Sequence, residues 1–221
     1  RRILGELPGL RLLDLNDLAI AASSEEDELE PFDSFEENAL SKASYFQRKA
    51  GIATVADDSG IEVDVLDGAP GVRSKRFAVD SGMPGADRLD GLELDLANNR
   101  CLVEGVRGIP PHERTARYVC VAVLMWPDGS HEVFRGEAPG LIVDKPRGDG
   151  GFGYDPHVLD TSLGRTFAEM TGAEKDARSH RGAAFRRLLV RLQGEGTAPG
   201  TEPDRKSTRL NSSHVRTSRM P

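Results

Sequence analysis

The chain has 221 residues, of which 38% are apolar and 29% charged, and its net charge is −7. That length suits one sizeable core, or one domain and a tail, with the composition of an ordinary globular protein. The acidic balance argues against a general nucleic-acid binder, and no apolar run approaches the roughly 18 residues of a membrane span.

The chain begins Arg-Arg-Ile-Leu rather than with Met, so the lack of a leader peptide decides little. Ile3, Leu4 and Leu7 suit the end of an amphipathic helix stopped by Pro8-Gly9, and Leu10–Leu15 reads as a short strand. The acidic loop Ser23–Glu30 follows, and most acids in such a run are simply solvated. Ser34 opens a clear helix, with Glu37 three residues on completing a capping box. Phe35, Ala39, Ala43, Phe46 and Ala50 form its buried stripe, and Gly51 ends it. Lys42 lies five residues beyond Glu37, so the two do not stack.

Ile52–Ala56 reads as a buried strand and Ile61–Leu66 as a half-exposed one. Between them, Asp57-Asp58-Ser59-Gly60 reads as a tight turn carrying a carboxylate pair. The competing reading is an acidic turn that only closes a hairpin. Asp57 and Asp58 are neighbours, so in extended backbone they point to opposite faces. Asp58 is the candidate for chemistry, and Asp57 is a structural or supporting residue.

Gly68-Ala69-Pro70-Gly71 is a turn-rich loop, and the basic segment Val72–Ala78 suggests a phosphate-handling surface or a solvated loop. Leu89, Leu92, Leu96 and Val103 suit the buried face of a helix interrupted by Gly91. Cys101 and Cys120 lack metal-type spacing and read as core thiols of a reducing, cytoplasmic compartment. Thr115–Trp126 and His131–Glu137 flank Pro127-Asp128-Gly129 as a hairpin, with Leu141–Val143 a further short strand.

Gly148–Pro156 holds glycines that permit close backbone approach to a ligand. Phe152 and Tyr154 offer flat faces for a base, and Asp155 an acceptor; a flexible surface loop is the bland alternative. No Gly-Lys-Ser/Thr follows, so this is not a P-loop. Ser179 caps a last helix with Phe185, Leu188, Leu189 and Leu192 inward. His180 and Arg181 in its first turn oppose the helix dipole, which marks a functional placement or two solvated residues. From Gly194 the apolar period ends. Thr197–Pro221 holds five Lys/Arg and two acids, and 194–221 reads as a disordered, non-native tail.

In this order the motifs resemble the Ham1 family of inosine triphosphate (dITP/XTP) pyrophosphatases. The matching segments are Ser34–Ala43 with its Glu-Asn-Ala-x-x-Lys-Ala, Ala56–Leu66, Gly68–Ser74, Gly150–Pro156, Thr166–Met170, Glu174-Lys175 and Ser179-His180-Arg181. The resemblance implies a domain over residues 1–193, an elongated α/β fold with a long mixed sheet flanked by helices, and a site in a cleft between two lobes. It implies hydrolysis of ITP, dITP or XTP to the monophosphate and pyrophosphate, Mg²⁺ as cofactor, and a homodimer with no nucleic-acid or membrane partner.

Residue by residue, the resemblance implies that Asp58 is general base and metal ligand, with Glu30 a second metal-binding acid. Ser59, Phe152, Gly153, Tyr154, Asp155, Lys175, His180 and Arg181 would contact substrate. Lys175, His180 and Arg181 are the donors expected at a 6-keto oxygen, where adenine's amino group would leave them unpaired. Two departures stand out. The family's first strand and Thr/Ser-x-Asn-x-x-Lys phosphate loop do not occur here, and Asp80–Asn98 departs in spacing, so no residue is transferred from it. The alternatives are a truncated nucleotide-binding protein without catalysis, and a Maf-like pyrophosphatase of different base specificity.

Overall fold

The structure, a computed structural model, describes residue 4, residues 8–194 and the backbone of residues 209–212. In chain order its elements are β1 (Arg11–Leu13), α1 (Phe35–Ala50), β2 (Ala53–Val63), β3 (Pro70–Gly71), α2 (Phe77–Asp80), α3 (Gly91–Gly105), β4 (Thr115–Met125), β5 (His131–Ile142), β6 (Val158–Asp160), β7 (Arg165–Thr166), α4 (Gly172–Arg178), α5 (His180–Gly194) and β8 (Arg209–Ser212). Strand order is β1-β8-β2-β4-β5-β6-β7, with β3 paired to β2. β8 lies parallel to β1 and β2, whereas the β2–β3, β5–β6 and β6–β7 pairs are antiparallel. The sheet is therefore mixed and the class α/β.

The chain divides into two compact units, residues 1–58, 120–136 and 181–216, and residues 59–119, 137–180 and 217–221. In the first, Ala53 and Val55 of β2, Cys120, Ala122 and Leu124 of β4, and Ala184, Phe185 and Leu188 of α5 form one core with Leu4. α1 is built as its sequence predicts. Ser34 accepts the Glu37 amide, Phe35, Ala39, Ala43 and Phe46 are buried, and the Gly51 N–H caps onto Gln47. One detail differs: the Glu37 carboxylate accepts from the Ser34 hydroxyl at 2.7 Å, so the cap is a shared side-chain bond. In the second unit Ile61, Val63, Leu102, Val106, Tyr118, Ile142, Tyr154, Val158 and Phe167 belong to one core.

Four sequence expectations are corrected. Residues 57–60 do not turn, because β2 runs unbroken from Ala53 to Val63. A strand tolerates Asp57 and Asp58 at its centre because each carboxylate meets its own cation, the half-buried Arg181 and the buried Lys42 respectively. The Leu141–Val143 segment is no separate strand, since β5 extends through Ile142. The tail contains structure: Arg209–Ser212 forms β8, while the rest of 195–221 lies outside the described residues, as do Ile3 and Leu7.

The fourth correction is the face of α3. The apolar pair Leu92 and Leu96 is 64% and 49% exposed, and Asp95, Asn98 and Asn99 point inward instead. Polar bonds set this rotation. Asn98 accepts the Ala78 amide at 2.8 Å and donates to the Lys75 carbonyl at 3.1 Å, tying α3 to the basic segment.

Candidate active site

In the first unit α1 and β2 bring three charges together. Lys42 Nζ donates to Glu30 Oε1 at 2.6 Å and to Asp58 Oδ1 at 2.9 Å. Asn38, one helical turn before Lys42, donates to Asp58 Oδ2 at 3.3 Å. The same amide donates to the Phe32 carbonyl at 3.1 Å and accepts the Phe32 N–H at 3.0 Å. Asn38 thus fixes the loop that carries Glu30 while it holds Asp58, and its hydrogen-bonding capacity is used on those two tasks.

The electrostatics follow from one ammonium shared by two carboxylates. Burial alone would lower the Lys42 ammonium, but the charges of Asp58 and Glu30 outweigh it and hold it above its usual range. Burial, aided by the Glu30 charge, pushes the Asp58 carboxyl above its usual range, and Lys42 and Asn38 only partly offset that. The two directions agree once all three charges are counted. The cluster is net negative, and the deficit falls on Asp58, the more buried acid.

On the other face of β2, Asp57 Oδ2 accepts from Arg181 Nη2 at 2.7 Å and Nε at 3.1 Å. Beside it is Cys120, whose Sγ lies 3.6 Å from the same oxygen. The Asp57 charge holds the half-buried Arg181 guanidinium protonated, above its usual range. Arg181 is therefore an ion-pair partner of Asp57 in the first unit, which the sequence did not reveal. Ser59 lies half-buried in β2 beside Asp58.

The second unit holds the remaining candidates in one network. The Asp155 carboxylate, 3% exposed, accepts the Phe152 N–H at 2.8 Å and the Tyr118 hydroxyl at 3.1 Å, and forms a short ion pair with Lys175. Lys175 Nζ stands 4.4 Å from the Phe152 ring centroid, a cation–π geometry. His180 stacks on Tyr118 at 4.9 Å between centroids. Tyr154 is buried and donates to the Ser74 carbonyl at 2.6 Å, so its ring is core, whereas Phe152 is exposed. Asp155 thus serves protein donors with both oxygens, and Tyr118 is a member the sequence reading missed.

The glycines of this loop serve the protein's own packing. A Cβ on Gly148 would lie 2.5 Å from the Ala168 carbonyl carbon and one on Gly150 2.8 Å from the Ala168 oxygen, while one on Gly151 would collide with the Asp155 carboxylate. The loop lies against the Phe167–Glu169 turn, and Gly150 N–H bonds to Ala168 O at 3.0 Å.

Residues 1–191 match the model of the Ham1 family. The chain belongs to the Ham1 family. A dITP/XTP pyrophosphatase of Frankia alni is 45% identical over 176 residues, covering 79% of this chain and 83% of the relative. One from Thermus thermophilus is 43% identical over 181 residues, covering 82% and 79%. Among solved structures, a HAM1 protein from Coxiella burnetii superposes with a TM-score of 0.72 at 30% identity, covering 87% of this chain and 90% of that one. A nucleoside-triphosphatase / dITP/XTP pyrophosphatase from Mycobacterium abscessus gives 0.64 at 39% identity, covering 85% and 90%.

The Ham1 motif Glu-Asn-Ala-x-x-Lys-Ala acquires a physical meaning here. Its Asn38 and Lys42 are the two residues that reach Asp58. Asn38 and Lys42 stand i, i+4 on α1, a spacing visible in the sequence that puts both on one face of the helix.

Proposed function

We propose that this chain is a nucleoside triphosphate pyrophosphatase that hydrolyses dITP, ITP and XTP to the monophosphate and pyrophosphate, with residues 1–193 as its catalytic domain. The observation that carries this reading is the Glu30–Lys42–Asp58 cluster, with Lys42 and Asp58 buried and Asp58 oriented by Asn38. A pyrimidine-directed activity finds no support among the relatives.

Water adds across the α–β anhydride, the bond to the bridging oxygen breaks, and pyrophosphate leaves. Asp58 takes the proton of that water, a contribution of about 10²–10⁴-fold for a positioned base. Its buried carboxylate, only partly neutralised by Lys42, is more basic than an exposed aspartate. Lys42 and Asn38 keep it aimed. The cluster also suits Mg²⁺. Glu30 and Asp58 converge on one cation already, both offer hard oxygen donors, and the excess negative charge favours a second cation. When bound, Mg²⁺ neutralises phosphate charge and acts as a Lewis acid.

For the base, Phe152 supplies the exposed ring, and Lys175 and His180 are the donors for a 6-keto purine, with Asp155 holding Lys175 in place and Gly153 and Tyr154 shaping the loop. Ser59 is proposed as a further substrate contact and Arg181 as a donor whose orientation Asp57 sets. A homodimer follows the family resemblance, and two free cysteines suit a cytoplasmic setting. Among the described residues no helix is long and apolar enough to cross a membrane.

Pyrophosphate release from ITP, XTP and ATP with Mg²⁺ tests this function. ITP and XTP are expected to turn over and ATP to be spared. Equal release from all three would overturn the proposed base selectivity, and no release from any would overturn the activity.

A further inference from the structure

The inverted face of α3 bears on the base loop. Asp95 and Asn99 are one helical turn apart, 8% and 6% exposed, and both reach Gly153. Asp95 Oδ2 accepts the Gly153 N–H at 3.0 Å, and Asn99 Nδ2 donates to the Gly153 carbonyl at 2.9 Å. One helix face therefore holds both polar groups of a single loop residue, which sits at φ +59°. The flanking residues are fixed as well, Phe152 through its N–H to Asp155 and Tyr154 through its hydroxyl to Ser74. What this leaves exposed is the Phe152 ring, at 41%.

Stability alone does not account for the arrangement. Orienting its amide toward Gly153 leaves the buried Asn99 Oδ1 without a hydrogen-bond partner among the described residues, an arrangement that ordinarily costs about 1–3 kcal/mol. The Asp95 carboxyl is pushed up by burial and then by the nearby Asp155 charge, with the Gly153 N–H opposing both. A helix chosen for packing would turn Leu92 and Leu96 inward and leave these polar groups in water.

We propose that Asp95 and Asn99 are positioning residues that clamp the Gly153 peptide, so that Phe152 is presented beside Lys175 as a preset stacking face for the purine base. The inference rests on the proposed function only in taking the ligand to be a 6-keto purine nucleotide. Pre-organisation of this kind spares the nucleotide the entropy of ordering the loop. Its loss weakens recognition of the base and leaves recognition of the phosphates intact.

The test compares the full chain with Asn99→Ala, Asn99→Asp and Asp95→Asn. Asn99→Asp faces an acceptor against the Gly153 carbonyl, whereas Asp95→Asn retains an oxygen for the Gly153 N–H. The readouts are KM and kcat for ITP and ATP, and inhibition by inorganic tripolyphosphate, which has no base. Both Asn99 variants are expected to raise KM for ITP by about tenfold. Tripolyphosphate affinity stays unchanged, and Asp95→Asn, which keeps an acceptor for the Gly153 N–H, raises KM for ITP less than Asn99→Ala does. An unchanged KM for ITP overturns the proposal, as does a fall in tripolyphosphate affinity that matches the fall for ITP, which is what simple unfolding gives. A parent protein that treats ITP and ATP alike defeats the functional reading instead. The clamp is then read by inosine titration of a Phe152→Trp reporter, where equal affinity with and without Asn99→Ala overturns it.

Discussion

Replacing Lys42 by Met is the most direct perturbation of the carboxylate cluster. The side chain is 3% exposed, Asp58 is 11% and Glu30 26%. Methionine fills similar volume, so the change is mainly one of charge. Removing one partner of a buried pair ordinarily costs about 3–5 kcal/mol, because the other charge stays behind. Glu30 is partly solvated and can turn toward water, so the loss should come from Asp58 and lie near the lower end, about 3 kcal/mol. For a domain of this size that is a fall in Tm of roughly 10 °C. Urea unfolding followed by Trp126 fluorescence gives the free energy directly. Asp58→Asn removes the stranded charge, so the double variant should recover about 2 kcal/mol relative to additivity.

The pH dependence supplies an independent sign. In Lys42→Met the influences left on the Asp58 carboxyl are burial and Glu30, which raise it, and the Asn38 hydrogen bond, which lowers it, so losing Lys42 moves it further up. A carboxyl whose folded pKa lies above its unfolded value binds its proton more tightly when folded. The penalty is therefore full at pH above the folded pKa and shrinks as pH falls through it. In the parent protein the Lys42 contribution is complete below the ordinary lysine range and is lost as pH rises through the raised value. A Lys42→Met penalty below about 1 kcal/mol, additive with Asp58→Asn and flat with pH, is what an exposed pair gives and would refute the reasoning.

Other outcomes follow from the same geometry. Asp58→Asn should abolish pyrophosphate release while nucleotide binding stays measurable by titration calorimetry, and full activity would remove Asp58 from the chemistry. Arg181→Met strands the buried Asp57 carboxylate and should cost about 3 kcal/mol in urea unfolding; Asp57→Asn in the same chain should restore part of it, and strict additivity would count against the pair. Gly151→Ala drives a Cβ onto the Asp155 carboxylate at φ +76°, so ITP affinity should fall together with stability, whereas a neutral result would show that Asp155 can move. The Arg165 guanidinium and the Thr171 cap hold the Glu174 carboxyl down to about 2. What that exposed carboxylate contributes is present above its ordinary value and disappears as pH falls toward 2. Glu174→Gln should therefore flatten acid unfolding monitored by circular dichroism; an unchanged acid limb would exclude the α4 cap as a contributor.

Much of the fold is legible in the chain because local chemistry and tertiary packing agree there. α1 has its Ser34 cap, its apolar stripe and its Gly51 stop, and each is used as written. The β4–β5 hairpin closes at Trp126–Ser130 because Gly129 supplies the positive φ its turn requires. The partners of the candidate site residues were not legible. Asp57-Asp58-Ser59-Gly60 carries every local mark of a turn, and nothing local announces that Lys42 and Arg181, far away in sequence, neutralise its two faces and let it stay extended. His180 and Arg181 are adjacent, yet one stacks on Tyr118 and the other pairs with Asp57, a division that only tertiary contacts decide.

The errors share a cause. Periodicity assigns apolar residues to the inside, and that rule holds where burial is the only demand on a helix. α3 answers a second demand, holding the backbone of two loops through Asp95, Asn98 and Asn99, and it leaves Leu92 and Leu96 in solvent to do so. The glycine loop inverts the same logic. Its glycines look like room for a ligand, yet they are what lets the loop lie on Ala168 and Asp155 and hold Phe152 still. A polar residue facing inward, or a glycine where nothing else fits, is a local conflict whose compensation lies elsewhere in the fold. In this chain those conflicts collect around two groups, the Asp58 carboxylate and the Phe152 ring. Both are held by buried polar side chains, the Asp58 carboxylate by Lys42 and Asn38 and the Phe152 loop by Asp95, Asn99 and Asp155.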